Sequence, residues 1–157
     1  MKRYFWPTII LTALFATSCQ TQAWLEREKE AIIAVISEEA DAIASGDFER
    51  VKDTHIRDSM ETRLELGMHF YNFYQGWDEV GNLIEDFTEG GPLNNSEFRK
   101  ENFIIKVSGK CAWLTCDNIW ILESAGEQEP EVTLQIAFLE KIKGEWKISF
   151  AAYYTKL

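Results

Sequence analysis

A chain of 157 residues has room for one domain built on a single hydrophobic core, and not for two. Acidic residues outnumber basic ones 26 to 16, for a formal charge of −10, which argues against a nucleic-acid partner and against adhesion to anionic lipid through protein charge. The cysteines, at positions 19, 111 and 116, have no metal-ligand spacing, and neither a metal nor a cofactor is expected.

The N-terminus reads as a leader. Lys2 and Arg3 precede the apolar segment Ile9–Phe15, and Ala16-Thr17-Ser18 lead into Cys19, the three-part layout of a secretory signal. The apolar segment is too short to persist as a spanning helix. Small residues immediately before a cysteine make it resemble a bacterial lipoprotein signal, with Ala16 where leucine is usual. That resemblance implies removal of residues 1–18, a lipid on Cys19, and anchorage in the bacterial envelope at the outer membrane. Residues 19–27 would then be the lipidated N-terminus and a linker, and residues 28–157 the folded domain.

From Trp24 to Ala44, Ile32, Ile33, Val35, Ile36, Ala40 and Ile43 recur at three- and four-residue steps between charged residues, which predicts an amphipathic helix ended by Ser45-Gly46. Asp47 caps a shorter helix through about Lys52, with Phe48 and Val51 inward. Between Ser59 and Tyr74, Leu64, Leu66, Met68 and Phe70 alternate with Arg63, Glu65, Gly67, His69, Tyr71 and Phe73, which favours extended chain broken at Gly67. A further helix starts at Gly76-Trp77-Asp78 and carries Trp77, Val80, Ile84 and Phe87 on one side. Gly90-Gly91-Pro92 and Asn94-Asn95-Ser96 form the loop after it.

The remainder, Glu97 to Leu157, reads as four strands rich in Trp, Ile, Phe, Val and Tyr. A tight turn at Gly109-Lys110 joins the first two and sets their register. One face then collects Phe103, Ile105, Val107, Ala112, Leu114 and Cys116 as the core, and strict alternation carries Arg99, Glu101, Asn118 and Trp120 onto the same side at its rim. Cys111 and Cys116 fall on opposite faces roughly 16 Å apart, too far for a bridge. The histidines, His55 and His69, are distant in sequence from both, so no thiol nucleophile is signalled. The second hairpin turns at Lys143-Gly144 and pairs Leu139 with Ile148, Ala137 with Phe150 and Gln135 with Ala152. Its other face would expose Val132, Leu134, Ile136, Phe138, Ala151 and Tyr153. So large an apolar patch needs cover, and a homodimer that also uses Trp113 is the expected one.

Helix, short helix, extended segment, helix and a long antiparallel sheet resemble the nuclear-transport-factor-2-like fold, the cone shared by SnoaL-like proteins and ketosteroid isomerases. Glu28 to Ile32, Gly46 to Arg50, Gly76 to Val80, Asn102 to Trp113 and Leu139 to Ile148 resemble motifs of a SnoaL-like group common in secreted Bacteroidota proteins. The resemblance covers about Glu28 to Tyr154 and implies an α+β cone, with N-terminal helices packed on a curved antiparallel sheet. It implies a cavity but no particular activity. Isomerases of this fold use an Asp base with a Tyr and a protonated Asp as donors. Here the first helix carries Ile, Ala and Val where that Tyr is expected.

Two function classes are compatible with these features. The first is a lipid-anchored module that holds a small, mostly apolar ligand or a protein partner in the cone without chemistry. Its expected ligand-binding residues are His69, Tyr71, Glu101, Asn118, Trp120 and Gln135. The second is an isomerase, cyclase or hydrolase using Glu101 or Asp117 as base.

Overall fold

The computed structural model describes residues 6–92, 96–122 and 130–155, with side chains described for 21–92, 98–121 and 130–155. Lys2 and Arg3 of the leader, the side chain of Cys19 and Asn94-Asn95 of the predicted loop lie outside that description. The first helix, α1 (Trp6–Ala44), is followed by α2 (Phe48–Thr54), β1 (Thr62–Leu66), β2 (Tyr71–Gln75), α3 (Trp77–Glu89) and four strands. These are β3 (Ser96–Ser108), β4 (Cys111–Leu122), β5 (Glu131–Ile142) and β6 (Glu145–Thr155). They form one six-stranded sheet in the order β2-β1-β6-β5-β4-β3, antiparallel except where β1 runs parallel to β6. Helices packed on one face of a mostly antiparallel sheet make the α+β cone expected from the sequence.

The helical ends follow from local chemistry. At the end of α1, Gly46 takes φ 68° and its N–H bonds to Ile43, while the Asp47 N–H reaches Ala42, a pair of bonds that satisfies the last carbonyls. No other residue fits there, because an added Cβ would lie 2.7 Å from the Gly91 backbone. The Asp47 carboxylate accepts from Arg50 N at 3.1 Å and starts α2.

The main core lies between α1 and the sheet. Ile32 and Ile36 of α1 meet Leu114, Ala137, Leu139, Ile148 and Ala151, with Phe103, Ile105 and Val107 packed at the edge. Each fully buried Ile or Leu contributes about 1.5–3 kcal/mol by leaving water. A smaller core joins Ala42, Val51, Val80 and Ile84 across the three helices. Midway along α1, Glu28 accepts from Lys141 Nζ at 2.6 Å and from Trp146 Nε1 at 2.7 Å, which latches the helix to the β5–β6 hairpin.

Both predicted turns set the register as expected: Val107 opposes Ala112, Ile105 opposes Leu114, and Leu139 opposes Ile148. Farther from the turns, two β-bulges shift the pairing. Glu101 opposes Asp117 but Ile104 opposes Thr115, so β3 carries one extra residue beside Asn102, whose φ is 58°. Beyond that point the faces of β3 exchange. In β6 the extra residue is Ser149, since Phe138 opposes Phe150. The predicted pairs of Ala137 with Phe150 and Gln135 with Ala152 are therefore replaced by Ala137 with Ala151 and Gln135 with Tyr153. Ala151 and Tyr153 turn to the core, and Phe150, Ala152 and Tyr154 turn outward.

Candidate functional site

The two bulges and α1 bring charged groups into the interior of the cone. Ile32, Ile36, Glu39 and Ile43 are spaced four, three and four residues apart on α1, so the Glu39 carboxylate sits on the helix's apolar stripe, with 0% of the residue exposed. The β3 bulge turns Lys100 inward, where Nζ donates to Gln135 Oε1 at 2.6 Å and to Glu39 Oε2 at 3.3 Å. The β6 bulge turns Tyr153 inward, where its hydroxyl donates to Glu39 Oε1 at 3.1 Å and accepts from Gln135 Nε2 at 3.1 Å. His55, just past α2, lies with Nε2 3.6 Å from Glu39 and bonds through Nδ1 to Glu61, which also accepts from the Arg57 N–H at 2.9 Å. Arg63 of β1 lies over the Tyr153 ring at 4.5 Å and bonds through Nε to Glu65 at 3.2 Å.

The charges determine one another's ionisation. Burial opposes the charged form of Glu39, but the nearby charges of Lys100 and His55 outweigh it and hold the carboxyl well below its usual range. Burial likewise opposes protonation of His55, yet Glu39 and Glu61 on either side raise its pKa above the ordinary value. The Tyr153 phenol is pushed well above its usual range by burial and by the Glu39 charge. It is therefore a neutral donor, and that donor is already engaged. Burial pushes the Cys116 thiol up to about 11, which leaves it unreactive.

Above this cluster opens a cavity of about 390 Å³ between the sheet, the end of α1 and α3. Its walls are Ala40, Ile43, Leu66, Phe70, Phe87, Phe98 and Trp120, and the last two rings tilt against each other at 4.2 Å. Polar groups reach it from Arg63, Glu65, Lys100, Asn118 and Tyr153, with Glu131, Thr133 and Thr155 completing the lining. Arg63 Nη1 and Asn118 Oδ1 are buried and have no hydrogen-bond partner among the described residues. Among the described residues no group of three His, Cys, Asp or Glu side chains is placed to hold a metal ion.

A sequence model of the SnoaL-like domain matches residues 32–151. The chain belongs to the SnoaL-like domain family. Solved structures similar to this SnoaL-like protein include an NTF2-like protein with a cystatin-like fold from Novosphingobium aromaticivorans, at TM-score 0.70 and 15% identity over 88% of each chain. The association domain of a C. elegans CaMKII is similar at TM-score 0.70 and 18% identity, over 82% of this chain and 95% of that one. A proposed dehydratase of the NTF2-like family from Streptomyces avermitilis is similar at 0.67 and 13%, over 84% and 98%. At these identities the likeness is one of fold. No curated protein sequence matches the chain.

Of the six residues expected at the ligand site of this SnoaL-like domain, Asn118 and Trp120 line the cavity, and Gln135 lies wholly buried in the cluster beneath it. Glu101 does not reach it: past the bulge it points outward and pairs with Arg99 at 2.9 Å. Asp117 opposes it on the same outer face and accepts from Asn102 at 2.9 Å. His69 is exposed in the β1–β2 turn. Tyr71 is 67% exposed and shares its sheet face with Phe73. Phe70 of that turn enters the cavity wall in their place.

The groups missed are Glu39, His55, Glu61, Arg63, Lys100 and Tyr153. Glu39 had a signal, an acid on an apolar helical stripe. Arg63 and Glu65 were hidden by their alternation with Leu64 and Leu66, which reads as a charged outer face although β1 turns the charges inward to one another. Lys100 and Tyr153 each lie beyond a bulge that alternation cannot anticipate.

Proposed function

We propose that this SnoaL-like protein is a lipid-anchored envelope protein that holds a small, mostly apolar ligand in its cone cavity, with no chemistry assigned. The single observation that carries the reading is the cavity, an apolar chamber of about 390 Å³ with a few converging polar groups at its floor, the usual build of a small-molecule site. The isomerase, cyclase or hydrolase alternative loses its two named bases, since Glu101 and Asp117 lie on the outer face of the sheet. Tyr153 is not a free proton donor, because Glu39 takes its hydrogen. Native mass spectrometry of the protein purified from its own cells should reveal a small-molecule adduct that Trp120→Ala loses. Protein that carries none and takes up no apolar compound would contradict the reading.

The anchor rests on the leader pattern ending at Cys19. Several acyl chains hold a protein to a bilayer far more strongly than one, so Cys19→Ala should release it from membranes. A wild-type mature protein found soluble, with a non-lipid N-terminus, would end that part of the proposal.

The outer face of the sheet supports a homodimer. Ile104, Trp113, Phe138 and Tyr154 lie there at 64%, 37%, 48% and 44% exposure, continuous through Leu134 and Ile136 with Phe73 at 50%. Large contiguous apolar patches are uncommon on monomers, and a second copy would cover this one. Tyr153, expected in the contact, belongs to the interior instead.

A further inference from the structure

Two buried residues of the cavity lining each hold one polar atom without a partner, and the two atoms are of opposite hydrogen-bonding sense. Arg63 is 7% exposed and Asn118 1%, and both line the cavity wall. Arg63 Nη1, a donor, and Asn118 Oδ1, an acceptor, have no partner among the described residues. Leaving such groups buried and unpaired costs about 1–3 kcal/mol each, so a ligand that meets both gains what one meeting neither forgoes.

The charge balance around them restricts the ligand further. Arg63 pairs with Glu65, Lys100 pairs with Glu39, and His55 stands between Glu39 and Glu61. Every buried cation of this cluster therefore has a carboxylate, and every carboxylate a cation. A ligand carboxylate would add an uncompensated negative charge beside Glu65, with Glu131 already in the cavity lining. A ligand cation would meet Arg63 and Lys100. Uncompensated charge in a largely apolar chamber is strongly disfavoured.

We propose that the cavity takes an uncharged, largely apolar molecule that presents one hydrogen-bond acceptor to Arg63 and one donor to Asn118. The proposal rests on the reading of this cavity as a ligand site and adds the ligand's class to it. Phe98 and Trp120 supply flat walls for a ring system, and the volume suits a fused two-ring body with short polar substituents.

A matched probe set tests it on the full chain by titration calorimetry. The probes are 6-acetyl-2-naphthol, with both groups; 2-acetylnaphthalene, without the donor; 2-naphthol, without the acetyl acceptor; and 6-hydroxy-2-naphthoate, with a charged acceptor. The first should bind roughly tenfold more tightly than each of the others, the worth of one satisfied hydrogen bond or one avoided charge. Asn118→Leu should bring it down to the affinity of 2-acetylnaphthalene and leave that compound within about twofold of its wild-type value. If this variant does not fold, the wild-type ranking still decides. Tighter or equal binding of the naphthoate, or affinities indifferent to the hydroxyl and acetyl groups, would overturn the proposal and leave the cavity a ligand site. A donor preference that survives in folded Asn118→Leu would remove Asn118 from it. Binding of none of the four would overturn the ligand-site reading itself.

Discussion

The hydroxyl of Tyr153 donates to Glu39 Oε1 at 3.1 Å, joining the last strand to the first helix across 114 residues of sequence. Glu39 needs more than this bond, because Lys100 and His55 are the charges that keep it ionised in the interior. Removing the hydroxyl with Tyr153→Phe should cost about 1 kcal/mol. Glu39→Gln strips the paired carboxylate from buried Lys100 and one of the two that flank His55, and should cost about 3–5 kcal/mol. Urea unfolding of the two variants beside wild type separates these effects. Equal losses would mean that the cluster is held by hydrogen bonds alone.

The same cluster sets a pH optimum for stability. The pKa of His55 is raised in the folded state above its ordinary 6.5, so its contribution is fully present below that value and is lost as pH rises through the folded one. The pKa of Glu39 is lowered from 4.5, so its contribution is present above that value and is lost as pH falls. Glu28, lowered by its bond to Lys141, adds to the acid side. Stability should therefore be greatest between about pH 4.5 and 6.5 as far as these groups decide it, and decline on both sides. Denaturation midpoints across pH check this, and His55→Gln should flatten the alkaline limb. A midpoint that rises steadily from pH 6 to 9 would contradict it.

Asn102 holds the bulge that turns Lys100 inward. Its φ of 58° is a conformation that asparagine tolerates and β-branched residues do not. Asn102→Val should cost about 1–2 kcal/mol, and Asn102→Gly should stay close to wild type, since the side chain lies exposed and bonds across the surface to Asp117. Thermal unfolding of the pair is the check. A Val variant as stable as the Gly variant would show that the bulge is not strained.

The architecture was legible because helical period, capping residues and hairpin turns are local signals: Asp47 caps α2, and Gly109 and Lys143-Gly144 set both registers. Strict alternation from those turns placed Leu114, Cys116, Asn118 and Trp120 correctly. It failed wherever one residue was inserted, which reversed Glu101 with Lys100 in β3 and moved Tyr153 from the outside to the core in β6. The buried cluster was hidden for a different reason. Its members come from α1, the α2–β1 connection, β1, β3, β5 and β6, and each charge looks solvent-facing until its partner is known.

The outer sheet face should pair two copies. Light scattering on the soluble Cys19→Ala form is expected to give twice the chain mass, and Phe138→Lys, at the centre of the exposed patch, should return it to the monomer without loss of fold. A wild-type monomer at micromolar concentration would contradict this.

The most direct test of the ligand-cavity reading tracks the indole N–H signals in nitrogen-correlated proton spectra during titration with 2-acetylnaphthalene. Trp120 stands in the cavity wall, Trp113 on the outer face, and Trp146 in the core bonded to Glu28. The Trp120 signal should move to saturation while those of Trp113 and Trp146 hold still. Movement of Trp113 with Trp120 unchanged, or no movement at saturating probe, would contradict a ligand site in the cone.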